Sequence, residues 1–176
     1  MQRWRVPLGF ACGALFLFFA KPTLELLLIG ALVALPGLAL RAWASGHLRK
    51  NESLATSGPY AFTRNPLYVG SFLIGVGFTV AAGRWLLAII PLVMLLGIYL
   101  PVMRVESATL AQLFGKKYER YANEVPLFLP RLSIYRNQVT PATFDRSLYL
   151  RYREYRAALG VAIAWALLAL KMIIFK

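Results

Sequence analysis

The sequence predicts an all-α, polytopic membrane bundle of about five transmembrane helices, with a cytoplasmic amphipathic helix beside it. Three observations carry this. Of the 176 residues, 59% are hydrophobic and the mean hydropathy is +0.60, too apolar for a water-soluble domain of this length. The apolar residues fall into five runs, each close to the roughly 20 residues that a spanning helix needs. The 20 Lys and Arg, against 7 Asp and Glu, sit between those runs in a pattern that orients them.

The expected spans are 6–20, 24–44, 67–82, 85–103 and 157–175. The break at Lys21-Pro22-Thr23 makes the first two a helical hairpin, and Gly83-Arg84 does the same for the third and fourth. Pro36, Pro91 and Pro101 lie in or at the ends of these runs, where neighbouring helices can cover the freed backbone groups. No linker divides the chain, so residues 1–176 are expected to form one integral-membrane domain. Arg3 and Arg5 ahead of an apolar run also suit a signal peptide. Phe18, however, spoils the small-residue pattern that cleavage near Ala20 would need, so 6–20 is read as a span.

In a soluble chain the basic excess would suggest nucleic acid. Here it follows the positive-inside rule instead, and no nucleic-acid partner is expected. With the N-terminus in the cytoplasm, every Lys and Arg except Lys21, Arg84, Lys171 and Lys176 falls on the cytoplasmic side. The expected setting is a bacterial inner membrane.

Small residues recur at helix-packing spacing: Gly9 and Gly13, Gly30 and Ala34, Ser71 and Gly75. They favour a compact bundle over separate anchors. Past the fourth span, residues 105–121 place Leu110, Leu113, Phe114, Tyr118 and Tyr121 at helical spacing, opposite Lys116, Lys117, Glu119 and Arg120. That pattern predicts one amphipathic helix, ended by Pro126 and Pro130. The basic stretch 131–156 is expected to lie against anionic lipid headgroups.

Two polar islands, 52–70 and 104–131, interrupt the apolar sequence at matching depth. In the first, Asn65 has the chemistry of a helix N-cap and Pro66 that of a first helical residue. Such a helix start presents a positive dipole end, which suits a carboxylate. The Gly58-Pro59 turn returns Tyr60 to the same place. In the second island, Glu106 follows an apolar span; it either pairs with Arg64 or Arg104, or faces a ligand. A carboxylate opposite a helix start, with Tyr60 and Tyr68 as aromatic faces for a cation, fits a zwitterionic head beside a cationic centre. S-adenosylmethionine has that form.

The pieces Gly58-Pro59-Tyr60, Arg64-Asn65-Pro66-Leu67-Tyr68-Val69-Gly70, Glu106, Leu110, Phe114-Gly115-Lys116-Lys117-Tyr118, Tyr121, Val125-Pro126 and Leu129-Pro130 stand in a specific order and spacing. In them the chain resembles the integral-membrane methyltransferases that include isoprenylcysteine carboxyl methyltransferase and the phospholipid N-methyltransferases. The resemblance covers about residues 45–131. It implies S-adenosylmethionine as cofactor, contacted by Leu54 and Ala55 mainly through backbone. Tyr60, Asn65, Pro66, Leu67 and Tyr68 would wrap it, and Glu106 would hold its polar head. The implied acceptor is a lipid or isoprenoid drawn from the bilayer, methylated on a carboxylate or an amine. Arg64 and Arg104 are the candidates for its anionic group. Two positions depart from the pattern: Asn65 stands where the family has His, and Ser107 where it has a second Glu. These leave open a non-enzymatic protein that retains the fold. An NADPH-dependent membrane lipid reductase is a further alternative.

Cys12 is the only cysteine, which excludes an intrachain disulfide and a cysteine-based metal site. His47 is the only histidine and is expected at the surface near the headgroups; no metal site is expected. Gly75-Val76-Gly77 falls within a span rather than after a strand, so it is no dinucleotide loop.

Overall fold

A computed structural model describes residues 5–49, 52–136 and 143–174, with side chains from residue 12 onward. Arg3, Lys50, Lys176 and the expected span end at Phe175 lie outside the described residues, as do the side-chain surroundings of Arg5 and Gly9. Helices α1 (Arg5–Phe19) and α2 (Leu24–Ser45) form the first hairpin. Thr23 caps α2 by accepting from Leu26 N at 3.3 Å. Helices α3 (Pro66–Ala81) and α4 (Trp85–Phe114) form the second hairpin, followed by α5 (Lys116–Glu124), α6 (Arg146–Arg151) and α7 (Tyr155–Ile174). All regular structure among the described residues is helical.

Three of these helices, α2, α4 and α7, are long and apolar enough to cross a membrane; α3 is apolar but has 16 residues, and α1 has 15. At 1.5 Å per residue α3 reaches about 24 Å, short of a hydrocarbon core of about 30 Å. Helix α4 shows the opposite mismatch. Its 30 residues extend about 45 Å, longer than such a core is thick. The fourth span was expected to close at 103, with a separate amphipathic helix over 105–121. Instead α4 runs unbroken through Arg104, Glu106 and Ser107, and the chain breaks at Gly115 (φ 51°, ψ −130°) before α5 begins. That backbone conformation is open almost only to glycine, which is why the break falls there.

The two hairpins lock through small residues. A Cβ on Gly30 would come within 2.5 Å of Gly77 O, and one on Gly77 within 2.7 Å of Ala34 Cβ. Gly30 and Ala34 thus set a backbone-to-backbone approach of α2 and α3, as their spacing predicts. Gly75 packs on Pro91 of α4, whereas Gly13 meets open space. At one end of the bundle Lys21 N donates to Ala82 O at 2.8 Å, and Lys171 Nζ reaches Leu17 O and Phe18 O. Lys21, Arg84 and Lys171, set apart from the other basic residues by the charge pattern, therefore share that end. A core of Phe16, Leu27, Leu87 and Leu168 fills the space beneath it.

The opposite end is polar and built from loops. Tyr118, Tyr121, Val125 and Tyr135 are buried there around Ala61. Residues 126–135 bond along residues 61–65: Arg64 N donates to Pro126 O, Thr63 Oγ1 to Phe128 O, Arg131 N to Phe62 O and Tyr135 N to Ala61 O. In the basic stretch, Asp145 caps α6 and its own N–H donates to Gly46 O at 2.9 Å. The Asp145 carboxyl is held below the usual carboxylate range, first by the Ser147 hydroxyl and then by the Ser147 N–H.

Candidate functional site

The loop-built end gathers the polar islands. Gly58 turns the chain at φ 59°, and the following 3-10 turn, Gly58–Ala61, buries Tyr60. His47 is why no larger residue fits: a Cβ on Gly58 would stand 2.7 Å from its ring. The surface position expected for His47 is therefore wrong. It is 8% exposed, packed between Trp43 and Phe144, with Nδ1 donating to Trp43 O at 3.0 Å. A polar ring that bonds its own helix carbonyl can be buried without an unpaired group.

Tyr60 is fixed from behind, because Tyr121 Oη donates to its carbonyl at 2.7 Å in the buried layer. Burial raises the Tyr60 phenol well above its ordinary value. The nearby Glu106, Tyr152, Glu154 and Tyr68 raise it further. Burial likewise raises Tyr121, with Tyr60 and Tyr118 adding to it. Both therefore act as neutral groups.

Glu106 is exposed and accepts from Tyr68 Oη at 3.1 Å. The Tyr68 ring in turn lies 5.3 Å from Tyr99. Tyr99 closes a π-helical turn, Leu95–Tyr99, in the middle of α4. Such turns disturb helix register and recur at functional sites. Here the turn sets Tyr99 in the wall of an apolar cavity of about 300 Å³, shared with Ser71, Phe72, Phe78 and Met94. The cavity is at the small end of the range for ligand pockets, ~300–1,000 Å³.

The remaining expected site residues are placed as follows. Pro66 is buried as the first residue of α3. Asn65 occupies the cap position, but its side chain does not cap; Nδ2 donates instead to Leu127 O at 2.9 Å. The cap reading of that side chain is thus corrected: the competing carbonyl comes from a segment 62 residues away. Leu67 contributes its carbonyl, which accepts from Arg41 Nη1 and Ser71 Oγ. Leu54 packs on the buried tyrosine layer, and Ala55 is half-buried beside it in sequence. Arg64 turns toward Ser107 Oγ (3.4 Å) and Tyr118 Oη (3.2 Å), and its buried Nε has no hydrogen-bond partner among the described residues. Arg104 is exposed on the C-terminal part of α4.

Sequence reasoning missed a half-buried ion pair. Arg41 of α2 meets both carboxylate oxygens of Glu154, with Nη2 to Oε1 at 2.6 Å and Nε to Oε2 at 3.1 Å. The signal was present. Arg41 is a charge inside an otherwise apolar run, and Glu154 is one of 7 acidic residues, set among arginines.

Among the described residues, no three His, Cys, Asp or Glu side chains group as a metal site. The sequence model for phospholipid methyltransferases matches residues 23–117. The chain is 34% identical over 149 residues to the cobalt-zinc-cadmium resistance protein CzcN of Cupriavidus metallidurans, covering 78% of this chain and 66% of that protein. It is 35% identical over 131 residues to the nickel-cobalt-cadmium resistance protein NccN of Alcaligenes xylosoxydans xylosoxydans, covering 70% and 60%. It is 32% identical over 81 residues to the protein-S-isoprenylcysteine O-methyltransferase of Schizosaccharomyces pombe, covering 46% and 34%. The chain thus spans 66% or less of the length of each of these relatives. No solved structure matches it.

Proposed function

The chain belongs to the phospholipid methyltransferase family, and from that premise we propose that it methylates a membrane-borne lipid or isoprenyl acceptor with S-adenosylmethionine. The observation that carries this reading is the convergence of Tyr60, Tyr68 and Glu106 beside an apolar cavity. The residues suit the cofactor. Glu106, held by Tyr68, would take its ammonium group, and the tyrosine rings would face its cationic centre. The start of α3 offers the positive dipole end for its carboxylate. Leu54, Ala55, Asn65, Pro66 and Leu67 would complete the surround.

When bound, S-adenosylmethionine supplies a sulfonium methyl group to an acceptor nucleophile. The chain's part is alignment and exclusion of water. The cavity would take the acceptor's apolar chain, and its wall residue Tyr99 lies 5.3 Å from the tilted Tyr68 ring, so the headgroup would emerge beside Glu106. A carboxylate acceptor needs no general base, which agrees with a site whose phenols are held neutral. Arg64 and Arg104 would meet anionic groups of the acceptor or of neighbouring lipids. The stretch 131–156 would rest on anionic headgroups, with this end of the bundle cytoplasmic, in a bacterial inner membrane crossed by five helices.

The test is methyl transfer from labelled S-adenosylmethionine into a bacterial lipid extract by the purified chain. Tyr60→Ala and Glu106→Ala should each abolish it in folded protein. Full activity in both variants, or oxidation of NADPH with a lipid alkene, would refute the reading. A part in metal resistance is the second reading, favoured by the names of two relatives. Here it would act through the methylated product, and growth of a deletion strain on cobalt, zinc or cadmium tests it.

A further inference from the structure

Segment 127–135 carries one charge, Arg131, and that charge is tied back onto the protein. Its guanidinium donates to Ser133 Oγ, from Nε at 3.1 Å and Nη2 at 2.8 Å, and to Glu124 O at the end of α5. Leu129, Leu132 and Ile134 are left facing outward, Leu132 wholly so. Arg136, also exposed, closes the segment. A single exposed leucine needs no explanation. Three large apolar side chains within six residues, rimmed by a basic one, mark a contact surface.

Three observations indicate what covers it. The first is depth. The Phe128 ring lies edge-on to Phe72, with centroids 5.8 Å apart, and Phe72 sits in the second turn of α3 and in the cavity wall. Helix α3 reaches about 24 Å of a hydrocarbon core about 30 Å thick, so crossing with α3 needs apolar surface beyond its end. The segment packed on its start offers that surface.

The second is backbone pairing. Irregular chain persists at the edge of an apolar layer only where the protein itself pairs the polar groups. Here Asn65 Nδ2 donates to Leu127 O and Thr63 Oγ1 to Phe128 O, while Arg131 N and Tyr135 N donate to Phe62 O and Ala61 O. The third is the aromatic marking. Trp43, exposed at the end of α2, stands 6.5 Å from Phe62, and Trp85 is exposed at the opposite end of the bundle. Exposed tryptophans at both ends are the mark of the two membrane–water boundaries.

We propose that segment 127–135 is a membrane-inserted apron. Leu129, Leu132 and Ile134 sit in the boundary between headgroups and acyl chains, on the side of the candidate site, with Arg136 among the phosphates. This rests on the membrane crossing proposed above. It goes beyond the attraction of 131–156 to anionic headgroups, because the contact is apolar and does not depend on lipid charge. Asn65 then has a task of its own: it pairs the Leu127 carbonyl where lipid offers no donor. The start of α3 is thereby held at headgroup level, where a lipid headgroup and a water-soluble cofactor can meet.

The test uses the full chain with Cys12→Ser, reconstituted in vesicles of equal phosphatidylcholine and phosphatidylglycerol. An environment-sensitive nitrobenzoxadiazole dye is attached through Leu132→Cys or, as the lipid reference, through Ile163→Cys on the exposed middle of α7. Free dye in buffer is the water reference. The dye at Leu132 should emit to the blue of free dye. It should lose more emission to lipids brominated near the carbonyl end of the chain than to lipids brominated near the methyl end. Ile163 should show the reverse order. Vesicles of phosphatidylcholine alone should leave the Leu132 signal unchanged. So should about 1 M salt, which screens charges more than about 3 Å apart.

A water-like signal at Leu132 with a lipid-like one at Ile163 would overturn the proposal and leave the membrane bundle standing. Water-like signals at both would remove the membrane reading as well. A blue shift at Leu132 without quenching by bromine would place it against protein, a second copy or a soluble partner, and overturn the proposal. Loss of quenching at high salt would reduce the contact to charge and overturn it too.

Discussion

Tyr68 Oη donates to Glu106 Oε1 at 3.1 Å, and this bond joins the first turn of α3 to the C-terminal part of α4. Neither residue alone makes a site. Together they fix a carboxylate beside the buried Tyr60 and, through Tyr99, beside the apolar cavity.

Removing the phenol oxygen should free Glu106 while leaving the ring in place. Tyr68→Phe is expected to weaken S-adenosylmethionine binding about three- to tenfold, the net worth of one ordinary hydrogen bond, since the contact is exposed to water. Calorimetry on wild type and variant checks it; unchanged affinity would show that Glu106 needs no such support.

Tyr121→Phe removes the donor to the Tyr60 carbonyl inside the buried tyrosine layer. Leaving a buried carbonyl unpaired should cost about 1–3 kcal/mol, read as a lower unfolding temperature in detergent. The same layer gives a pH dependence. Tyr60 and Tyr121 have folded-state values above the ordinary phenol value, so the folded chain keeps their protons longer than the unfolded one. Their contribution to stability is complete below a pH of about 10 and lost as pH rises beyond it. Spectroscopic titration of phenolate should show these two ionising only as the chain unfolds.

Gly70 and Gly13 offer a paired comparison. Gly70→Ala sets a methyl group against Arg41 Cγ and Gly37 O, both at 2.6 Å, and should destabilise the chain by about 1–3 kcal/mol. Gly13→Ala meets nothing within 4 Å and should be nearly neutral. Thermal unfolding of the two variants decides; equal effects would mean that the α2–α3 approach does not set the stability.

Gly115 has open space around it, so the effect of Gly115→Ala is purely conformational. At φ 51° and ψ −130° a Cβ costs about 1–3 kcal/mol. The expected response is for α4 to continue into α5, pulling Tyr118 from Arg64 and Tyr121 from Tyr60. Loss of cofactor binding with helix content kept, by circular dichroism, would show this. Retained binding would place the site's integrity elsewhere.

What the sequence made legible was local. Apolar runs bounded by Lys21-Pro22-Thr23 and Gly83-Arg84 located the helices, because a greasy face and a turn residue act over a few positions. Gly58-Pro59-Tyr60 and Pro66 found their turn and helix start for the same reason. The failures share a cause as well. The Asn65 side chain chose Leu127 O over its own helix, and His47 was buried by Phe144, a residue far along the chain. The Arg41–Glu154 pair joins positions 113 apart, and no short-range pattern encodes it. Helix α4 outran its apolar residues because charge does not end a helix: Arg104, Glu106 and Ser107 continue it to the break at Gly115.

The most direct test of the central claim is calorimetric titration of S-adenosylmethionine into the detergent-purified chain, with Glu106→Ala alongside. The account predicts binding to the wild type that falls at least about tenfold in the variant, as expected when a charge-assisted contact is removed. No binding to folded wild type, or equal binding to both, would contradict it.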